Sequence, residues 1–321
     1  MPQGVHPQIQ ALLDKMQALG IPKIQTLSTQ AARNLIEQLY VARLEEYPPP
    51  PVAEVVDAVT DPSHGSVPLR IYRTCSDPQA PVIIFFHGGG HVFGNLRTYD
   101  SVARFLALQA GCTLISVGYR KAPEHPFPAA VEDSFNALRW VVENAGDLRI
   151  DPTRLALCGD SAGGNLAAVT ALMARDAGIP VAAQALIYPV INYRGGTGSY
   201  DRYGSGYGIL ESDTVAWFRE RYLPDPEMYQ DWRANPALAP SHAGLPPALV
   251  LTAECDVLHD EGAAYAQQLR DAGVPVAQVD FPGMIHGFFS YLGLVDDAER
   301  AHESVGRFLR GIWGEQEVRP S

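Results

Sequence analysis

The sequence predicts an α/β fold built on a mostly parallel sheet of eight strands. Three observations carry this prediction. The runs PVIIFF, CTLISV, LALC and PALVLTA are continuously apolar, as strands buried on both faces of a parallel sheet are. Segments with helically spaced apolar residues separate them, which gives the strand–helix alternation of βαβ units. The composition, 46% hydrophobic and 19% charged over 321 residues, excludes disorder and coiled coil and supplies ample material for a large core.

The chain opens with two helical segments, 8–19 and 28–46. In the second, Ala31, Leu35, Leu39 and Ala42 recur at intervals of three and four. The run Pro48 to Pro51 ends that helix and stiffens the link to the next segment, so a boundary falls at residue 50. Strands at 52–60 and 67–73 alternate polar and apolar residues, as half-exposed edge strands do. Six further strands come after them at 81–86, 112–118, 154–158, 182–188, 247–254 and 275–281, all expected to be parallel. Helices at 98–110, 129–144, 162–176, 257–272 and 296–311 fill the gaps.

One connection departs from this rhythm. Residues 189–246 separate two core strands by far more than the usual few residues, as lids and insertions do. They hold a Gly/Tyr-rich stretch at 194–208, a helical segment with Trp217 and Phe218, and proline-punctuated coil. The expected organisation is an N-terminal helical part of a cap (1–50), a first core segment (51–188), a cap insertion (189–240) and a second core segment (241–321).

Charge and cysteine usage narrow the function. The net charge is 24 − 36 = −12 and the chain has only three lysines, which argues against nucleic acid as a partner. No stretch approaches the ~20 apolar residues that span a bilayer. No basic region followed by an apolar run opens the chain, so a cytoplasmic location is the expectation. Cys75, Cys112, Cys158 and Cys255 show neither metal-ligand nor redox spacing, and all four read as small buried apolar residues.

The chemistry is carried by three motifs. Gly159-Asp160-Ser161-Ala162-Gly163 lies between the strand LALC and a helix, the strand–turn–helix setting in which G-x-S-x-G exposes a nucleophilic serine. His87-Gly88-Gly89-Gly90 directly follows PVIIFF, and its glycines leave backbone N–H groups open to a developing oxyanion. His87 itself is expected to hold the loop, and His91 to be either a pocket-rim or a packing residue. An activated serine needs a histidine, and that histidine needs an orienting carboxylate. Of the histidines after Ser161, His286 sits in a glycine-containing loop after the last strand. His302 falls in the last helix and reads as solvent-facing, His259 as helical, and His242 as coil. Asp256 follows PALVLTAE at a strand's C-terminal end, where active sites of open α/β sheets collect. Asp260 and Glu254 are its rivals. No metal-binding pattern is visible, and Asp296-Asp297 reads as a helix start.

Together HGGGH at 87–91, GDSAGGN at 159–165, AECDVLHDEG at 253–262 and HGF at 286–288 resemble the hormone-sensitive lipase-like family of α/β-hydrolases, bacterial esterase family IV. YRKAPEHPFPAAVED at 119–133 adds to the likeness, which spans residues 30 to 315. The resemblance implies Ser161 as nucleophile, His286 as base, Asp256 as its orienter, and the N–H groups of Gly89, Gly90 and Ala162 as oxyanion donors. It further implies a cap, hydrolysis of small-molecule carboxylic esters with short to medium acyl chains, no cofactor, and a homodimer through the last strand. His91, Lys121, Cys255 and Val257 depart from the family's usual residues and bear on acyl preference, not on the chemistry. Two other readings stay open: a serine hydrolase acting on amides, lactones or acetylated compounds, and a non-catalytic small-ligand receptor. Plant gibberellin receptors resemble this family but have lost the base histidine, which is present here as His286.

Overall fold

The fully apolar strands take the centre of the sheet. In the computed structural model, which describes residues 4–314, the strands are β1 (Glu54–Val59), β2 (Pro68–Arg73), β3 (Ala80–Phe86), β4 (Thr113–Val117), β5 (Ile150–Asp160), β6 (Ala183–Ile187), β7 (Ala248–Cys255) and β8 (Val276–Ile285). They form one sheet in the order β1-β2-β4-β3-β5-β6-β7-β8. β3 to β8 run parallel, while β1/β2 and β2/β4 pair antiparallel. Every residue of β3, β4 and β6 is buried, as two-sided coverage by helices requires. β1 is the exposed edge, but the expectation of an edge at 67–73 is corrected. β2 is paired on both sides, and its polar positions carry Arg70, which reaches Asp57 across the β1 pair.

The helices are α1 (Pro7–Ala18), α2 (Thr29–Glu46), α3 (Asp100–Ala110), α4 (Ala129–Glu143), α5 (Ala162–Asp176), α6 (Gly198–Tyr203), α7 (Ser212–Tyr222), α8 (His259–Asp271) and α9 (Asp296–Trp313). α6 lies inside the Gly/Tyr-rich stretch, where its glycines hid it from helical pattern reading. α9 buries the stripe Ala298, Ala301, His302, Val305 and Leu309 against the core. The expectation that His302 faces solvent is therefore wrong. Its ring stacks on Phe289 at 3.6 Å, and its Nδ1–H donates to the Ala298 carbonyl. Burial holds its pKa down at about 3, so it is a neutral packing group. Cys75 is likewise corrected: it falls beyond the end of β2 and is exposed, whereas Cys112, Cys158 and Cys255 are buried.

Residues 23–29 are stitched to α7. Lys23 pairs with Glu211 at 2.7 Å, Thr214 donates to Gln25, Trp217 Nε1–H donates to the Leu27 carbonyl, and Arg221 donates to Thr29. On α2, Arg33 reaches the carbonyls of Val92 and Ala122 and forms a bidentate pair with Glu124. Helix α2 and the 189–246 insertion thus share one layer next to the loops that leave β3 and β4. Among the described residues no helix is long and apolar enough to cross a membrane.

Candidate active site

Strand register assembles the site. Phe86 of β3 pairs with Gly159 of β5, so the loop His87–Gly90 and Ser161 leave neighbouring strands at the same level. Cys255 of β7 pairs with Ile285 of β8, and the next residue on each strand is Asp256 and His286. All four segments therefore meet at the C-terminal ends of the parallel strands.

Ser161 occupies a sharp elbow with φ 56° and ψ −119°, a conformation that costs a non-glycine residue about 1–3 kcal/mol. Its N–H donates to the Ile187 carbonyl, and its own carbonyl accepts from Asn165 and Val190, which over-determine the turn. The flanking glycines are required by close approach. A Cβ on Gly163 would lie 1.9 Å from the Phe86 carbonyl oxygen, and one on Gly159 would lie 2.2 Å from that of Gly163. The elbow presents Ser161 Oγ 2.8 Å from His286 Nε2. His286 Nδ1 lies 2.6 Å from Asp256 Oδ2, and Asp256 Oδ1 accepts from the Leu258 N–H at 2.9 Å. Asp256 is 1% exposed.

The rivals sit elsewhere. Asp260 pairs with Arg202 and His259 and accepts from the Ser199 N–H, while Glu254 accepts from the Gly283 N–H. His242 is buried against the Pro236 carbonyl, and His259 is the first residue of α8. His87 donates through Nδ1 to the Gly88 carbonyl at 2.7 Å and stacks on Tyr119. Burial drives its pKa to about 3, as it does for His91, which stacks on Tyr222 at 3.7 Å. Both are therefore neutral. Of the two places expected for His91, the structure has the packing one: it is fully buried.

The glycine loop turns back on itself: the Gly89 carbonyl accepts from Val92 and Phe93, at φ 109° for Gly89 and 60° for Gly90. Gly88 N–H donates to Asp160 Oδ1, but among the described residues the N–H groups of Gly89 and Gly90 donate to no protein acceptor. Together with the N–H of Ala162 at the start of α5, they are the donors available to an anion beside Ser161.

Three functional neighbours escaped sequence reading. Asp160 is buried and accepts from Gly88 N–H and Tyr99 Oη–H; burial raises its carboxyl to about 6. Tyr188 packs its ring 4.6 Å from that of His286. Glu261 Oε1 accepts from Ile191 and Asn192 at the root of the insertion, and burial raises that carboxyl to about 8. Asp160 and Glu261 lie inside the motifs GDSAGGN and AECDVLHDEG, which could have flagged them; Tyr188, just past β6, carries no such signal.

A cavity of about 160 Å³ opens over Ser161 and His286, walled by Ile36, Val190, Tyr193, Val215, Phe218 and Leu258 among others. Among the described residues no group of three His, Cys, Asp or Glu side chains could hold a metal ion.

Comparison with known proteins agrees with this architecture. A family model described as alpha/beta hydrolase fold matches residues 83–290. The chain is 41% identical over 239 residues to an ethyl acetate hydrolase of Pseudomonas putida, covering 73% of this chain and 75% of that protein. It is 33% identical over 309 residues to an arylesterase of Saccharolobus solfataricus, covering 96% and 99%. A solved hyperthermophilic esterase of Pyrobaculum calidifontis superposes with a TM-score of 0.92 at 36% identity, covering 98% and 99%. The chain belongs to the hormone-sensitive lipase-like family of α/β-hydrolases.

Proposed function

We propose that this carboxylic ester hydrolase works through Ser161, His286 and Asp256, with Gly89, Gly90 and Ala162 as the oxyanion hole. The observation that carries the reading is the unbroken chain from Ser161 Oγ through His286 to Asp256, at 2.8 and 2.6 Å. His286 Nε2 takes the Ser161 proton as Oγ attacks the ester carbonyl carbon. The carbonyl oxygen becomes an oxyanion facing the three backbone N–H groups. His286 then protonates the departing alcohol oxygen, leaving an acyl-serine. Water attacks the acyl carbon, gives its proton to His286, and the carboxylic acid is released as Ser161 recovers its proton. Asp256 accepts from Nδ1–H throughout and fixes the tautomer.

Helices α1 and α2 with residues 189–240 form the cap, a reading supported by the ties between residues 23–29 and α7. The cap excludes water and strengthens the oxyanion site. Short to medium acyl chains are the substrates, in keeping with the small, apolar-walled cavity. β8 is an edge strand, which supports pairing with a second copy. Purified protein given p-nitrophenyl butyrate and the matching anilide tests the reading. It expects fast release from the ester and slow release from the anilide; failure on the ester overturns it.

A further inference from the structure

The cavity over Ser161 does not end the hollow space beneath the N-terminal helices. A second groove, about 300 Å³, adjoins it and is lined by Leu44, Tyr47, Pro50, Phe105 and Leu292 together with Tyr40. The same three chain segments wall both, in consecutive stretches. Along α2 the lining passes from Ile36 and Tyr40 to Tyr40 and Leu44. Around the start of α3 it passes from Thr98 and Tyr99 to Ser101 and Phe105, and after His286 from Ser290 and Tyr291 to Leu292 and Gly293. The two hollows therefore run in series, and Tyr40 is the residue common to both.

Tyr40 is weakly tethered for a residue in that position. Its buried hydroxyl faces Ser101 without completing a hydrogen bond of normal geometry. Tyr40 thus stands at the junction of the two hollows. Beyond it the groove is mainly apolar. Arg43 donates to the Leu292 carbonyl, and the exposed Glu46 and Glu299 mark where the groove meets solvent.

We propose that Tyr40 is the specificity-determining partition of this enzyme: its ring stops a linear hydrocarbon arm of the ester at the end of the active-site cavity, and removing the ring connects that cavity to a groove able to take longer arms. The inference rests on the esterase reading above. Up to the partition, each buried methylene raises kcat/KM by about fourfold, and past it the gain ends.

The test compares wild type, Tyr40→Phe, Tyr40→Ala and Tyr40→Trp on two homologous series, p-nitrophenyl acyl esters and acetates of linear alcohols. Wild type and Tyr40→Phe share one profile in each series, since the ring that sets the length is kept. Tyr40→Ala raises the long-to-short ratio of kcat/KM in one series by on the order of tenfold or more, as two or more further methylenes become buried. Tyr40→Trp shortens the same profile. A merely structural role would lower every chain length in parallel and leave the ratio fixed. Unchanged ratios in both series, with wild-type activity on the butyrate ester retained, overturn the partition and leave the esterase reading standing. Failure of the wild type on the short ester overturns the esterase reading instead. Should Tyr40→Ala not fold, Tyr40→Leu and Tyr40→Trp decide by the same ratio.

Discussion

Adding one methyl group to Gly89 probes the oxyanion site without touching any side chain that handles protons. Gly89 holds φ 109°, and an added Cβ would stand 2.3 Å from the Phe93 carbonyl oxygen and 2.8 Å from its carbon. Both atoms are backbone, in the turn closed by the Gly89 carbonyl on Val92 and Phe93. Relief requires the turn to move by about 1 Å, enough to take a donor out of line with the developing charge. Losing one such donor costs about 10²–10³ in kcat, or about 2.7–4 kcal/mol. Gly89→Ala should therefore lose that factor in kcat on p-nitrophenyl butyrate while KM changes little. Gly111→Ala is the matched control: its φ is 65°, no atom lies within 4 Å of the added Cβ, and it caps α3 away from Ser161. It should lower Tm modestly and leave kcat untouched. Wild-type kcat in Gly89→Ala, with the turn demonstrably folded, would refute the assignment of this loop to the oxyanion.

The other predictions concern the acid and a buried carboxyl. Asp256→Asn should cut kcat by on the order of 10⁴, because His286 loses the acceptor that fixes its tautomer. Asp260→Asn should leave turnover near wild type, since it weakens only partly exposed pairs worth about 1 kcal/mol or less; the reverse ranking in steady-state kinetics would exchange their roles. Glu261 is raised by burial from an ordinary 4.5 to about 8. The folded state thus holds its proton more tightly than the unfolded chain does. That stabilisation is complete below about 4.5 and is lost as pH rises through about 8. Glu261→Gln keeps a carbonyl for Ile191 and Asn192 and has no proton to lose, so its Tm should overtake wild type between pH 5 and 9. Parallel Tm curves would contradict the shift.

The parallel strands were legible because their environment is uniform: β3, β4 and β6 are buried at every residue, and burial on both faces is what an unbroken apolar run of strand length encodes. Ser161 and Asp256 were legible because each closely follows such a run, and His286 because it sits in a glycine-containing loop at the end of the half-exposed last strand. The features that sequence reading missed depend on partners distant along the chain. His302 reads as part of a polar His-Glu pair, yet helical phase carries it onto the Ala298–Val305 stripe, against Phe289. Asp160 and Glu261 look like ordinary surface acids until the fold brings Gly88 and Ile191 to them. Tyr40 sits in a helix of weak amphipathic pattern, and only the packing of α2 beside residues 290–293 gives it two hollows to divide.

The central claim is that Ser161 is the nucleophile. The most direct measurement is stoichiometric labelling with a p-nitrophenyl alkylphosphonate, which leaves a stable adduct where the acyl group would sit. The protein should release one equivalent of p-nitrophenol, lose activity in step, and carry the added mass on the peptide containing Ser161. Ser161→Ala should release none and show turnover reduced by on the order of 10⁶. An adduct on any other residue, or full turnover by Ser161→Ala, would contradict the account.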